Sequence, residues 1–543
     1  MTHDNSWPVV TTVVTKFTSI GATKIYNNRQ IVIALDHDVQ NRSESNLEKY
    51  GNIENFARQH GVDFYPAGRG IGHQIMIEEG YAWPGTLTVA SDSHSNMYRG
   101  VAALGTPVTW WQIPPIAKVT LTSLPPQGVT GKDVIIALCG SFKQDEVLNH
   151  AIEFTGSELT LSSLPIDDRL TISNMTTEWG AVANLGGKAR ITHNKVEELF
   201  RDPLRPDPGA TYAKSLYLNL STLSLFVSGP NSVKVATPVK DLEAQGIKIN
   251  NAYLVSCTNS RASDTTAAAN VFREAAKGGP IPKIAPGVEF YISASSLPEQ
   301  EIAEQSGDWR VLLDAGCIEN PASCNACIGL GRGLLKPGDV SISTSNRNWN
   351  GRMGSTLAKA YLASPEVVAA SALKGEIAGP GGYRRPEGVE KVIIGEGSGD
   401  AEVDRAVSVV DALESLVAET ESMISSAKKS FESSPVAATG AVGNAIIDAT
   451  VNLAADQTGE TLIEVLPGFP EKVSGEIVFY DADNINKDGI YPGKYTYRDN
   501  ITRDIMAGGE TWSQKVGELP PNVQEIVAMG GLEKWVKYQI SRA

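Results

Sequence analysis

Cysteine is scarce in this chain, with five in 543 residues. That is too few for a disulfide framework, so the thiols point to a reducing compartment. Long apolar runs are missing too. No stretch of about eighteen apolar residues occurs, so nothing reads as a membrane-spanning helix. Positive charge is in deficit, 47 Lys and Arg against 62 Asp and Glu, for a formal net charge of −15. That balance opposes non-specific binding to nucleic acid or to an anionic membrane surface. The first residues, Met1 to Trp7, match neither a signal peptide nor an Arg-rich transit peptide. Histidine is also sparse: seven in all, five of them before position 95.

What is present is the composition of a globular protein, 41% hydrophobic and 20% charged, long enough for three or four domains. The densest chemistry lies at Ser323-Cys324-Asn325-Ala326-Cys327-Ile328-Gly329, two thiols one short turn apart. Two cysteines hold no metal centre alone. The third member is read as Cys257, in the polar loop Ser256-Cys257-Thr258-Asn259-Ser260-Arg261. A CxxC pair by itself also serves redox chemistry and zinc. Zinc wants four ligands, and Cys317 could supply the fourth; Cys317 and Cys139 read more naturally as small buried hydrophobes. Three thiolates match an iron–sulfur cluster with one iron left open to a substrate oxygen.

Three strand or loop ends each present a histidine. Gln30–Leu35 reads as a strand ending at Asp36-His37, Phe64–Gln74 as a glycine-loosened loop carrying His73, and Thr86–Ala90 as a strand running into Asp92-Ser93-His94. Open α/β sheets keep their sites at such carboxyl ends. A carboxylate beside an imidazole fixes its tautomer and raises its pKa, as a general acid needs. Helices are expected over Glu44–His60, Gly131–Leu138 and Asp264–Ala276, and strands over Ala117–Thr122 and Asn251–Val255. Arg347 and Arg352, set among Asn and Gly, suit bidentate contact with a bound carboxylate.

Asp36-His37, Gly72-His73-Gln74, Asp92-Ser93-His94, Asn174 with Glu178, Ser256–Arg261, Cys324-x-x-Cys327 and Asn346-Arg347 with Arg352 resemble, in order, the motifs of the aconitase superfamily. The resemblance covers residues 1 to about 400. Within the superfamily, Thr2–Trp7, Tyr65–Gly70 and Asn484–Tyr495 are most similar to the fungal homoaconitase branch. The resemblance implies an α/β fold, with three α/β/α domains (1–115, 116–246 and 247–397), a linker (398–468) and a partial swivelling domain (469–543). It implies one 4Fe–4S cluster on Cys257, Cys324 and Cys327, with Asn259 and Asn346 beside it. Asp36, His37, His73, Asp92, His94 and Glu178 would be the acid–base and positioning groups. His3, Ser93, Asn174, Arg347 and Arg352 would contact a small tricarboxylic acid. The implied activity is reversible hydration linking homocitrate, cis-homoaconitate and homoisocitrate in lysine biosynthesis by the α-aminoadipate route. The implied setting is a monomer in the mitochondrial matrix, bound to neither nucleic acid nor membrane.

The departures also carry expectations. The Thr2-His3-Asp4 motif begins the chain where the superfamily has upstream sequence. A helix usual between Val108 and Thr109 is missing, Asn184–Lys188 does not follow the pattern, and Lys487 replaces a threonine. The superfamily's Gly-Ser-Ser-Arg motif, whose serine serves as base, does not occur. This chain by itself is therefore expected to hold a cluster poorly and to turn over slowly.

Overall fold

The computed structural model describes residues 17–90, 92–106, 114–142, 146–147, 150–178, 182–184, 209–381 and 391–400, with single positions at 525, 529 and 538. His3, expected to contact substrate, and, apart from those three positions, the expected linker and partial swivelling domain beyond 400 lie outside the described residues. The chain divides into two compact units. The first includes Lys24–Asp400; of the second, the longest described part is residues 17–23, a helical turn closed from Ala22 N–H to the Phe17 carbonyl at 3.2 Å.

Two main sheets and two short strand pairs build the first unit. The larger sheet runs Ala236–Pro238, Phe226–Ser228, Lys359–Leu362, Val340–Ser343, Asn251–Leu254, Glu289–Ile292, Ile318–Glu319. Its last five strands are parallel, and the first two join as an antiparallel edge. Asn251–Leu254, in the middle of the parallel strands, is buried at all four positions, as a strand covered on both faces must be. The second sheet runs Ile394–Glu396, Lys214–Asn219, Ile116–Thr122, Ala151–Gly156, Val182–Asn184, parallel except for its first strand. The chain thus passes into the larger sheet by Phe226, ahead of residue 246, and returns to the second sheet at Ile394.

The short pairs position the histidines. Val32–Ala34 lies parallel to Asp63–Tyr65, and Leu87–Val89 parallel to Leu104–Thr106. The connection in the first pair is helix Glu44–His60, as its spacing suggests. Ser43 caps its start and Gly61 ends it in the left-handed region, at φ +62°. Ile53 and Ala57 bury its inner face against Ile33, Leu35 and Val62.

One element differs from the sequence reading. Phe64 and Tyr65 belong to strand Asp63–Tyr65, the loop spans only 66–71, and His73 sits in the first turn of helix Gly72–Glu78. The cause is long-range: the Asp36 carboxylate accepts the Gly72 N–H at 2.7 Å. That satisfies one of the N–H groups a helix start leaves open. Pattern within residues 64–74 contains no trace of this cap.

Candidate active site

Every parallel strand near the site delivers polar residues just past its carboxyl end. Val32–Ala34 leads to Asp36 and His37, Leu87–Val89 to Asp92–His94, Asn251–Leu254 to Cys257, and Val340–Ser343 to Ser345–Arg347. These ends converge on a small pocket lined by His37, His73, Asp92, His94, Cys257, Cys324, Cys327, Ile328, Asn346 and Arg352. Neither Cys139 nor Cys317 lines it; both pack in the main apolar core, where burial pushes their thiols far up.

Cys324 caps a single 3-10 turn, Asn325–Ile328, and Cys327 sits within it. Asn325 takes the left-handed backbone, φ +48°, that the turn demands. Its side chain makes that affordable by donating to Ser293 Oγ and the Pro321 carbonyl, both at 2.8 Å, and to the Ser323 carbonyl at 3.1 Å. Two links tie this turn to the Asp36-His37 segment. The Cys324 N–H donates to the Asp36 carbonyl at 3.0 Å, and Gln40 bonds both Asn325 Oδ1 and the Arg332 N–H.

The imidazoles and carboxylates form one buried network. His37 Nδ1 is 2.6 Å from Asp36 Oδ1. Asp92 is the hub: its Oδ1 accepts the His94 N–H at 2.7 Å and lies 3.1 Å from His94 Nδ1 and 3.4 Å from His73 Nε2. Its other oxygen is 3.9 Å from His37 Nε2. Burial alone would raise the Asp92 pKa, but hydrogen bonds from His73 and His94 hold it well below the usual carboxylate range. His94 Nε2 continues to Glu178 Oε1 at 3.1 Å, and Arg347 Nε meets that oxygen at 2.5 Å. Burial likewise pushes Glu178 up, and Arg347 and His94 more than reverse it.

The remaining site candidates divide. Ser93 Oγ accepts from Arg347 Nη2 at 3.2 Å. Arg352 lines the pocket, with Nε on the Cys327 carbonyl at 2.9 Å. Asn174 is absent from the lining yet donates to Cys257 Sγ at 3.2 Å. Asn346 Nδ2 lies 3.9 Å from the same sulfur. Asn259 does not line the pocket either; its amide donates to Thr171 Oγ1 and Asp264 Oδ1, both at 3.0 Å. Sequence reasoning missed Gln40 and Asn325 as supports and Ile328 as lining. Only the left-handed preference of Asn between the cysteines carried a local signal.

The aconitase family (aconitate hydratase) profile matches residues 8–375. This chain belongs to the aconitase family. Among curated relatives, the mitochondrial homoaconitase of Chaetomium globosum is 67% identical across all of this chain and 86% of its own length. That of Neurospora crassa is 53% identical across 99% of this chain and 86% of its own length, and that of Candida albicans 51% across 93% and 71%. The first alignment extends over 692 positions against the 543 residues here, so that relative carries internal sequence this chain lacks.

Members of the aconitase family generally bind a 4Fe–4S cluster, and the donor set fits one. Three thiols face one pocket. Burial pushes Cys257 up to about 12, and Cys327 and Asp92 add to the rise; Cys324 is driven well above its ordinary value by burial, then by Asp36 and the other two thiols. Cys257 and Cys324 in this setting keep their protons unless a cationic centre replaces them. Amide and hydroxyl donors already face the sulfurs, Asn174 on Cys257 and Ser345 Oγ at 2.9 Å from Cys327 Sγ, which is how a protein tunes such ligands.

Proposed function

We propose that this chain is a homoaconitase-type hydro-lyase, interconverting homocitrate, cis-homoaconitate and homoisocitrate by loss and gain of water in lysine biosynthesis, in the mitochondrial matrix. Cys257, Cys324 and Cys327 hold its cluster, which when bound acts as a Lewis acid toward the substrate's oxygens. The observation that carries this reading is the convergence of those thiols with His37, His73, Asp92, His94 and Arg352 on one pocket. The name homoaconitase carried by the relatives above supports the homoaconitate acids over aconitate or isopropylmalate.

His37, backed by the Asp36 carboxylate, gives its proton to the departing hydroxyl. Asp92 keeps His73 and His94 oriented along the pocket wall, so that either imidazole can move a proton without turning. Glu178 fixes the far nitrogen of His94 and the guanidinium of Arg347 in one step. Arg352 takes a substrate carboxylate, with Arg347 and Ser93 completing the polar wall. Excluding water is the task of burial: His37 and His94 are 5% and 4% exposed, which strengthens each of these contacts.

A mononuclear metal on Asp36, His37 and Cys324 is the second reading, because their ligand atoms all lie within 4.8 Å of one another. It leaves Cys257 and Cys327 without a task, and Asp36 is already engaged by His37 and Gly72. Anaerobic reconstitution with iron and sulfide, then metal analysis and hydration assays on cis-homoaconitate, cis-aconitate and the isopropylmalate-type acid, separates the readings. About four irons per chain are expected. Turnover is expected to favour cis-homoaconitate at a rate about 10²–10⁴ below a relative that has the Gly-Ser-Ser-Arg base. One metal per chain, or a preference for another acid, overturns the proposal; full-rate turnover overturns its slow-chain part.

A further inference from the structure

Lys132 is wholly buried, although it occupies the first turn of helix Gly131–Ser141. Both facts are electrostatically adverse: the interior penalises an ammonium, and the positive end of a helix dipole penalises any cation. The helix has no need of it. Thr130 and Asp133 close the N-terminus as a capping box, and the second Asp133 oxygen takes the Phe226 N–H at 2.8 Å.

The Lys132 side chain instead leaves its helix. Nζ donates to the carbonyls of Thr344 at 2.9 Å and Ser345 at 2.5 Å, on a turn more than 200 positions later. That turn touches both cysteine loops. Thr344 Oγ1 bonds the Val255 and Asn259 carbonyls on either side of Cys257, at 2.9 and 2.8 Å. Ser345 and Asn346 reach Cys327 Sγ at 2.9 and 3.6 Å. Next in line, Arg347 holds Glu178.

We infer that Lys132 is a positioning residue for the iron–sulfur site: its ammonium clamps the Thr344–Ser345 carbonyls so that Ser345 and Asn346 face the sulfurs. Burial pushes its pKa down to about 7, and the nearby Glu178, Asp264 and Asp133 carboxylates partly oppose that fall. Partners one shell out from the ligands decide how long a metal centre stays bound.

This inference rests on the cluster reading, and its test keeps the two apart. The full chain and its Lys132→Met and Lys132→Arg variants are reconstituted anaerobically, and iron release to a chelator, thermal melting and hydrogen exchange over 340–354 are followed. Lys132→Met is expected to melt cooperatively, to lose iron about 10–100-fold faster, and to exchange faster at 344–347. Lys132→Arg, which keeps charge and donors, is expected to restore slow release. A Lys132→Met chain that keeps iron and exchange at parental rates overturns the inference. So does Lys132→Arg releasing iron as fast as Lys132→Met, or neither variant melting cooperatively, which would make the lysine a support of the fold alone. If the parent chain takes up no iron, the cluster reading fails, and exchange in the metal-free chains still decides the clamp.

Discussion

Replacing Asp92 by Asn tests the hub of the histidine network. The side chain is nearly isosteric, so packing stays and the charge goes. Asp92 Oδ1 accepts the His94 N–H, lies 3.1 Å from His94 Nδ1 and stands 3.4 Å from His73 Nε2. A buried hydrogen bond to a charged group contributes about 1.5–3 kcal/mol and a neutral one about 0.5–1.5, so the His94 contact loses about 1–1.5 kcal/mol and the longer His73 pair adds less. The metal-free variant should therefore be about 1–2 kcal/mol less stable at pH 7, read as a lower urea midpoint by tryptophan fluorescence. The pH dependence has a definite sign. A carboxylate held below its unfolded value, about 3.9, contributes stability that is fully present above that value and is lost as pH falls through the folded pKa. Because His73 and His94 overcome burial to hold Asp92 down, the gap between parent and variant should be constant from about pH 7 to 5 and close only below about pH 4. Equal midpoints at pH 7, or a gap already closed at pH 5, would refute the network as described.

The cysteines give a sharper contrast: Cys257→Ala, Cys324→Ala or Cys327→Ala should each cut reconstituted iron to a small fraction of the parent's, whereas Cys139→Ala and Cys317→Ala should leave it unchanged, as iron analysis would report. Gly105→Ala should destabilise by about 1–3 kcal/mol or more, because a Cβ there would stand 1.9 Å from the Ser95 carbonyl oxygen beside the His94 segment; a normal melting curve would contradict this. Asn325→Ala should destabilise by about 1–3 kcal/mol and speed iron loss, since alanine adopts the left-handed backbone at a cost and makes none of the three bonds; melting and chelator competition measure both.

Much of the site could be read along the chain because its chemistry travels in short motifs. Asp36-His37 and Asp92-Ser93-His94 pair acid with imidazole at a spacing that tertiary structure has only to preserve. Helix Glu44–His60 was legible at both ends, since Ser43 and Gly61 carry their own conformational preferences. The start of helix Gly72–Glu78 was not, because its cap comes from Asp36, a residue on another element. Arg347 read as a carboxylate ligand on its Asn-rich surroundings; in the fold its guanidinium meets Glu178 and Ser93.

Residue type and local order settled which groups could do chemistry: three cysteines in polar loops, histidines beside aspartates, and arginines among asparagines. They settled it because thiol, imidazole and carboxylate reactivity belongs to the side chain itself. Which of five cysteines share a pocket, and that a lysine on helix Gly131–Ser141 reaches the Thr344–Ser345 turn, was decided only by the folded chain. Those facts are distances between residues 70 to more than 200 positions apart, and distance on that scale is set by sheet pairing and core packing, which no short window of sequence contains.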